Sequence, residues 1–296
     1  MKITILDTQA VYRQLLALND GDDAQREALF REGIVAPFDG LVHRFGGTDG
    51  VAMFRQWLIS ADHFTGDQRA WACEVFDGLT AYGAWDLASQ ALDDANKAFA
   101  PYADKIPLES AVFALLICDI NKMPLQRGYS GNGGMPGYIM TLYGEASDYS
   151  LSRLQGATVH EFHHNIRFTL FPFTMQVTLA EYIIAEGLAE SFSKELYGAD
   201  KVGFYVTDFD QSRLDETKAI IKAALTVTGF NEVRGYIFGD ALSDAMGLPK
   251  AGVPNFAGYA IGYHIVQAYL ERTGKTVAEA TFVPAMEIIS ESGFFA

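Results

Sequence analysis

Along the first hundred residues apolar positions recur at intervals of three and four. VYRQLLAL, AQREALF, VAMFRQWL and WDLASQALDDANKAF all carry the spacing that gathers apolar side chains on one face of a helix. Polar and glycine-rich interruptions, Asn19 to Asp23 and Gly46 to Gly50, read as the loops between them. After Pro101 to Pro107 the period changes. ESAVFALLICDI is a continuous apolar run with β-branched and aromatic residues, the pattern of a central strand covered on both faces. GYIMTLY predicts a second strand, and Gly131, Gly133 and Gly134 ahead of it read as a flexible lead. From Ser150 the pattern is helical again through VHEFHHNIR, with a stop near Pro172. Another helix fits Thr178 to Tyr197. Thr178 and Glu181 form a T-x-x-E capping box at its start, and Gly198 ends it. Further helical stretches fall near 212 to 226, 257 to 272 and 277 to 291. A helical layer, a small sheet and more helices together predict an α+β chain.

Composition narrows the choice of partners. The 296 residues are enough to bury a full core without covalent staples. The cysteines, Cys73 and Cys118, are far apart and outside any CxxC pair, which argues against a disulfide framework or a cysteine zinc site and favours a reducing compartment. The N-terminal MKITILDTQAVYRQLL lacks the apolar core of a signal peptide. AVFALLIC, the longest apolar run, is far short of the roughly 20 residues that cross a bilayer as a helix. A cytoplasmic protein without membrane insertion is expected. A net charge of -15 makes nucleic acid a poor partner. The glycine-rich loop has neither the Lys-Ser/Thr ending of a P-loop nor a GxGxxG pattern.

The chemistry concentrates in HEFHHNIR, which holds three of the six histidines. His160 and His164 are one helical turn apart on one face, so both can reach one ion, and Glu161 beside them is placed to take a proton from a water. A catalytic zinc site uses three protein ligands, so a third is required. The following helix offers Glu181, Glu186, Glu190 and Glu195. Glu181 is accounted for by the capping box and Glu195 lies near the helix end. Glu186 and Glu190, mid-helix in AEGLAES, are costly carboxylates to bury unless they are paired or bound to metal. His163 points to a different sector and is expected to pack or to orient a ligand. Arg167, two turns beyond His160, could pair with Glu190, a substrate carboxylate or a surface acid. A di-iron bundle would need a second Glu-x-x-His, which the chain lacks.

HEFHHNIR, then EGLAE some twenty residues on, then YIFGD and NFAGYAIGYHIV, resembles the YjaZ-type predicted zinc-dependent proteases of bacteria, gluzincin-like by motif. The resemblance covers about residues 107 to 292. It implies His160, His164 and Glu186 as ligands of Zn2+, Glu161 as general base, a peptide or protein substrate, and GYIMTLY at the border of the substrate cleft. On this reading the fold is zincin-like, with a helical N-terminal region over 1–106 packed on a catalytic domain over 107–296. Tyr259, Tyr263 and His264 are the candidate donors to a tetrahedral oxyanion. Glu190, one turn beyond Glu186, is expected to accept the free ring N–H of His160. A non-catalytic zinc-containing binding or stress-response module is the alternative, and a retained Glu161 argues against it because a structural zinc site has no use for a base.

Overall fold

The computed structural model describes residues 1–123 and 125–296. The chain is α+β, predominantly helical, with one mixed sheet of four strands ordered β1-β2-β4-β3: β1 Lys2–Ile5, β2 Ser110–Ile117, β3 Tyr129–Asn132 and β4 Tyr138–Tyr143. β1 and β4 both run parallel to β2, with Ile3 opposite Ala111 and Phe113 opposite Ile139. β3 is antiparallel to β4, Gly131 facing Thr141.

Two compact units are present. The first comprises Met1–Asn96 and Leu108–Asn165, the second Lys97–Pro107 and Ile166–Ala296. In the first, the helices Thr8–Ala17, Asp23–Phe30, Gly50–Gln56 and Arg69–Tyr82 accompany the sheet, and the apolar spacing of the early sequence is realised in them. Helix Thr8–Ala17 is tied to β2 by two buried hydrogen bonds: the Thr8 hydroxyl donates to the Leu115 carbonyl at 2.7 Å, and the Ile117 N–H donates to the Tyr12 hydroxyl at 3.0 Å. β2 forms over the apolar run as read from sequence, with its last five residues all buried.

Two strands depart from the sequence reading. β1 escapes it because KITI is short and largely exposed, so only its pairing with β2 makes it a strand. β3 lies within the segment read as a flexible lead. GYIMTLY is hydrogen-bonded to β2 on one side and β3 on the other, so its backbone has no open edge to border a cleft. β3 is the edge.

In the second unit the helix Leu179–Tyr197, here the carboxylate helix, starts from its Thr178 capping box and stops at Gly198, as the sequence indicates. Its core partner is Ala257–Thr273. The stretch 277 to 291 is two helices, Val277–Ala280 and Ala285–Ser292, because Pro284 cannot continue the first and caps the second. Phe230–Phe238 and Asp240–Met246 are additional helices separated by Gly239 at φ +86°. Among the described residues no helix is long and apolar enough to cross a membrane.

Candidate metal centre

The helix Leu154–Leu170, here the motif helix, carries HEFHH. A short helix with its own Ser147 capping box precedes it, and it ends two residues before Pro172. The helical turn brings the Nε2 atoms of His160 and His164 to 3.0 Å, with ring planes 83° apart. Two imidazoles sharing a tetrahedral zinc at about 2.0–2.1 Å have their nitrogens roughly 3.3 Å apart, so this spacing is that of two donors aimed at one point. Both rings are buried, at 8% and 5% exposure, which leaves little water to compete for them.

Glu161, also buried, meets the sheet. A Cβ on Gly131 would collide with its carboxylate, and a Cβ on Gly133 would fall on its backbone carbonyl. The glycines therefore serve close approach. A flexible lead is not their role, since any side chain there would displace Glu161 or lift the strand. One turn later the amide of Asn165, fully buried, donates to the Gly133 and Tyr138 carbonyls at 2.7 and 2.8 Å and accepts the Gly137 N–H at 2.7 Å. Asn165 went unnoticed in the sequence, although a polar residue of modest helix propensity at mid-helix was a visible signal.

On the carboxylate helix the glutamates separate by partner. The Glu181 carboxylate accepts the Thr178 N–H at 2.8 Å, closing the capping box. Glu195 accepts the Val277 N–H at 2.8 Å, at the first residue of helix Val277–Ala280, while burial raises its carboxyl above the ordinary value. Glu190, 2% exposed, accepts the Gly203 N–H at 2.7 Å. Glu186 is left for the centre: one ligand atom from each of His160, His164 and Glu186 lies within 4.8 Å of the others. Next to Glu186 the helix crosses Ala257–Thr273 at glycine contact, where a Cβ on Gly187 would strike the Gly262 carbonyl and one on Gly262 the Ile183 carbonyl. Two nitrogens and one carboxylate oxygen form a donor set suited to zinc.

The model of a family described as predicted Zn-dependent protease (DUF2268) matches residues 84–290. The chain belongs to this family. Among its relatives, the uncharacterized protein YjfC of Bacillus subtilis is 44% identical over 184 residues, 62% of this chain and 61% of that one. The uncharacterized protein YjaZ of the same organism is 28% identical over 141 residues, 47% of this chain and 51% of that one. The chain thus spans about three fifths and about half of these curated relatives. No solved structure matches it.

The other residues singled out from this family member's sequence have varied surroundings. His163 is fully buried. Arg167 Nη1 donates to the carbonyls of Thr281 and Val283 at 2.6 and 2.8 Å, with its guanidinium over the Phe171 ring. Arg167 is 2% exposed, which rules out a surface ion pair, and burial lowers its pKa to about 10. Tyr259 stacks on Tyr205 with centroids 4.6 Å apart. His264 lies parallel to Phe294, and burial lowers its pKa. Tyr263 is half-buried. Burial first, and then the charge of Glu190, hold its phenol above the ordinary value, so it stays protonated at neutral pH.

Proposed function

We propose that this protein is a zinc-dependent peptidase of zincin-like architecture, in which His160, His164 and Glu186 hold the ion and Glu161 is the general base. The observation that carries the reading is the convergence of three donor atoms within 4.8 Å on a chain of the predicted Zn-dependent protease family. Three protein ligands leave a position open, as catalysis requires and a structural site does not. Zinc, when bound, supplies Lewis acidity toward a carbonyl oxygen and makes water more acidic. The Glu161 carboxylate takes a proton from the attacking water and delivers it to the leaving amine nitrogen. Tyr259, Tyr263 and His264 are the candidate donors to the oxyanion.

An extended peptide suits β3. Gly144 donates to the Gly128 carbonyl, and the Tyr143 and Gly137 carbonyls accept from the β2 side at Cys118 and Val112. By the alternation of an antiparallel ladder, Gly131 then turns its backbone groups away from β4. A substrate strand added there runs beside Glu161.

The test is metal content by elemental analysis together with cleavage of a peptide library with and without chelator. About one zinc per chain and chelator-sensitive cleavage are expected. Glu161→Gln should keep zinc and fold but lose turnover, since the amide cannot accept the water's proton. Wild-type turnover in that variant would remove Glu161 from its role, and a zinc-loaded wild type that cleaves nothing defeats the peptidase reading.

A further inference from the structure

The Asn165 amide engages both of its N–H donors and its carbonyl oxygen with three backbone groups of one segment, the Gly133 and Tyr138 carbonyls and the Gly137 N–H. That segment joins β3 to β4, and Gly137 within it has φ +94°. It begins where Gly133 rests on the Glu161 carbonyl, one turn before Asn165 on the same helix. A second tie comes from Arg44, whose Nη1 donates to the Pro136 carbonyl at 2.8 Å. A buried amide with three short hydrogen bonds is directional in a way that apolar packing is not, because each bond weakens steeply once its angle opens. Ala or Leu would be the better helix former at this position.

We propose that Asn165 is a positioning residue: by clamping Gly133–Tyr138 it sets the height and register of the β3 edge over the Glu161 carboxylate. The inference rests on the peptidase reading, in which a peptide carbonyl presented along β3 must sit within reach of the water that Glu161 deprotonates. Displacement of a reacting group by about 1 Å costs on the order of 100-fold in rate, so loss of the clamp falls on kcat. Asn165 contributes no donor to the candidate ligand set, so zinc content is unaffected.

The experiment compares the full-length wild type with Asn165→Leu and Asn165→Ala at a temperature where circular dichroism finds all three folded. Zinc per chain, kcat, KM and amide exchange of Gly137 are measured. The expected result is unchanged zinc, kcat lower by about 10- to 100-fold, KM within about threefold, and Gly137 exchange at least about tenfold faster. A residue that served folding alone would lower the melting temperature and leave kcat in place. Wild-type kcat in folded variants overturns the inference, as does a Gly137 amide that is unprotected in the wild type. Should both variants fail to fold, Gly133→Ala, which pushes the same backbone off Glu161 with Asn165 intact, should reproduce the kcat loss with zinc retained; wild-type kcat there overturns the inference equally. If the wild type cleaves no peptide, the peptidase reading has failed, and the clamp then stands or falls on Gly137 exchange.

Discussion

Backbone meets backbone at two places beside carboxylates of the candidate centre, and the two contacts are built differently. At Gly131 and Gly133 a strand lies on the motif helix at Glu161, and the Asn165 amide holds the departing chain by three hydrogen bonds. At Gly187 and Gly262 two helices cross beside Glu186, and the flanking Ile184, Leu188, Ile261 and Ile265 are all fully buried. The strand contact is polar and directional, so it fixes orientation. The helix crossing is apolar and non-directional, so volume alone holds it. Errors in the first should be felt in rate, and errors in the second in stability and then in metal binding.

That contrast can be broken most sharply at the carboxylates. Glu186→Ala should lose most bound zinc at modest chelator concentration, because a donor and a negative charge leave the ion together. Glu190→Gln, whose amide oxygen can still accept the Gly203 N–H, should keep zinc with affinity reduced by about 10- to 100-fold. Zinc titration against a competing chelator measures both, and the reverse order of effects would exchange the two roles.

Gly187→Ala comes next. The added methyl group would meet the backbone at the Gly262 carbonyl and the Tyr263 nitrogen, so the helices must part at a cost of about 1–3 kcal/mol, read as a fall in denaturant midpoint. Gly131→Ala sharpens the comparison from the other side. Its methyl group meets the movable Glu161 carboxylate at an edge strand, so kcat should fall more than tenfold while stability changes by less than about 1 kcal/mol. If the crossing variant loses only activity and the strand variant only stability, the distinction is wrong.

The smallest effect concerns Glu195. Its carboxyl is raised by burial, so the folded state binds the proton more tightly than the unfolded chain, and stability falls as pH rises through the shifted value. Glu195→Gln keeps an acceptor for the Val277 N–H and should flatten that dependence above the usual carboxylate range, with little change at low pH. Thermal melts across pH 4 to 8 measure it, and the dependence is shallow because the side chain is partly in water.

Local grammar was legible wherever it was self-sufficient. The apolar run of β2, the Thr178 capping box and the Gly198 stop are decided by near neighbours, and the fold repeats them. His160 and His164 meet because helical pitch alone places residues four apart on one face. β1 and β3 were illegible, since KITI and YSGN are strands only because β2 and β4 offer them hydrogen bonds. The glycines before GYIMTLY misled for a related reason: composition cannot distinguish a glycine that allows flexibility from one that allows contact. The four glutamates likewise differ through groups far along the chain, Gly203 for Glu190 and Val277 for Glu195.

By itself, then, the sequence determined the motif and carboxylate helices, the central strand, the paired histidines and the presence of an acid between them, all of which follow from periodicity and capping within a few residues. Tertiary structure alone decided that β3 is an edge strand, that Asn165 grips the turn beyond it, that Arg167 is spent on the Thr281 and Val283 carbonyls, and that Glu186 stands within 4.8 Å of the histidine donors. Those relations depend on backbone groups and side chains separated by up to a hundred residues or more. No local pattern encodes them, because the energy that selects them is released only when the distant partners are in contact.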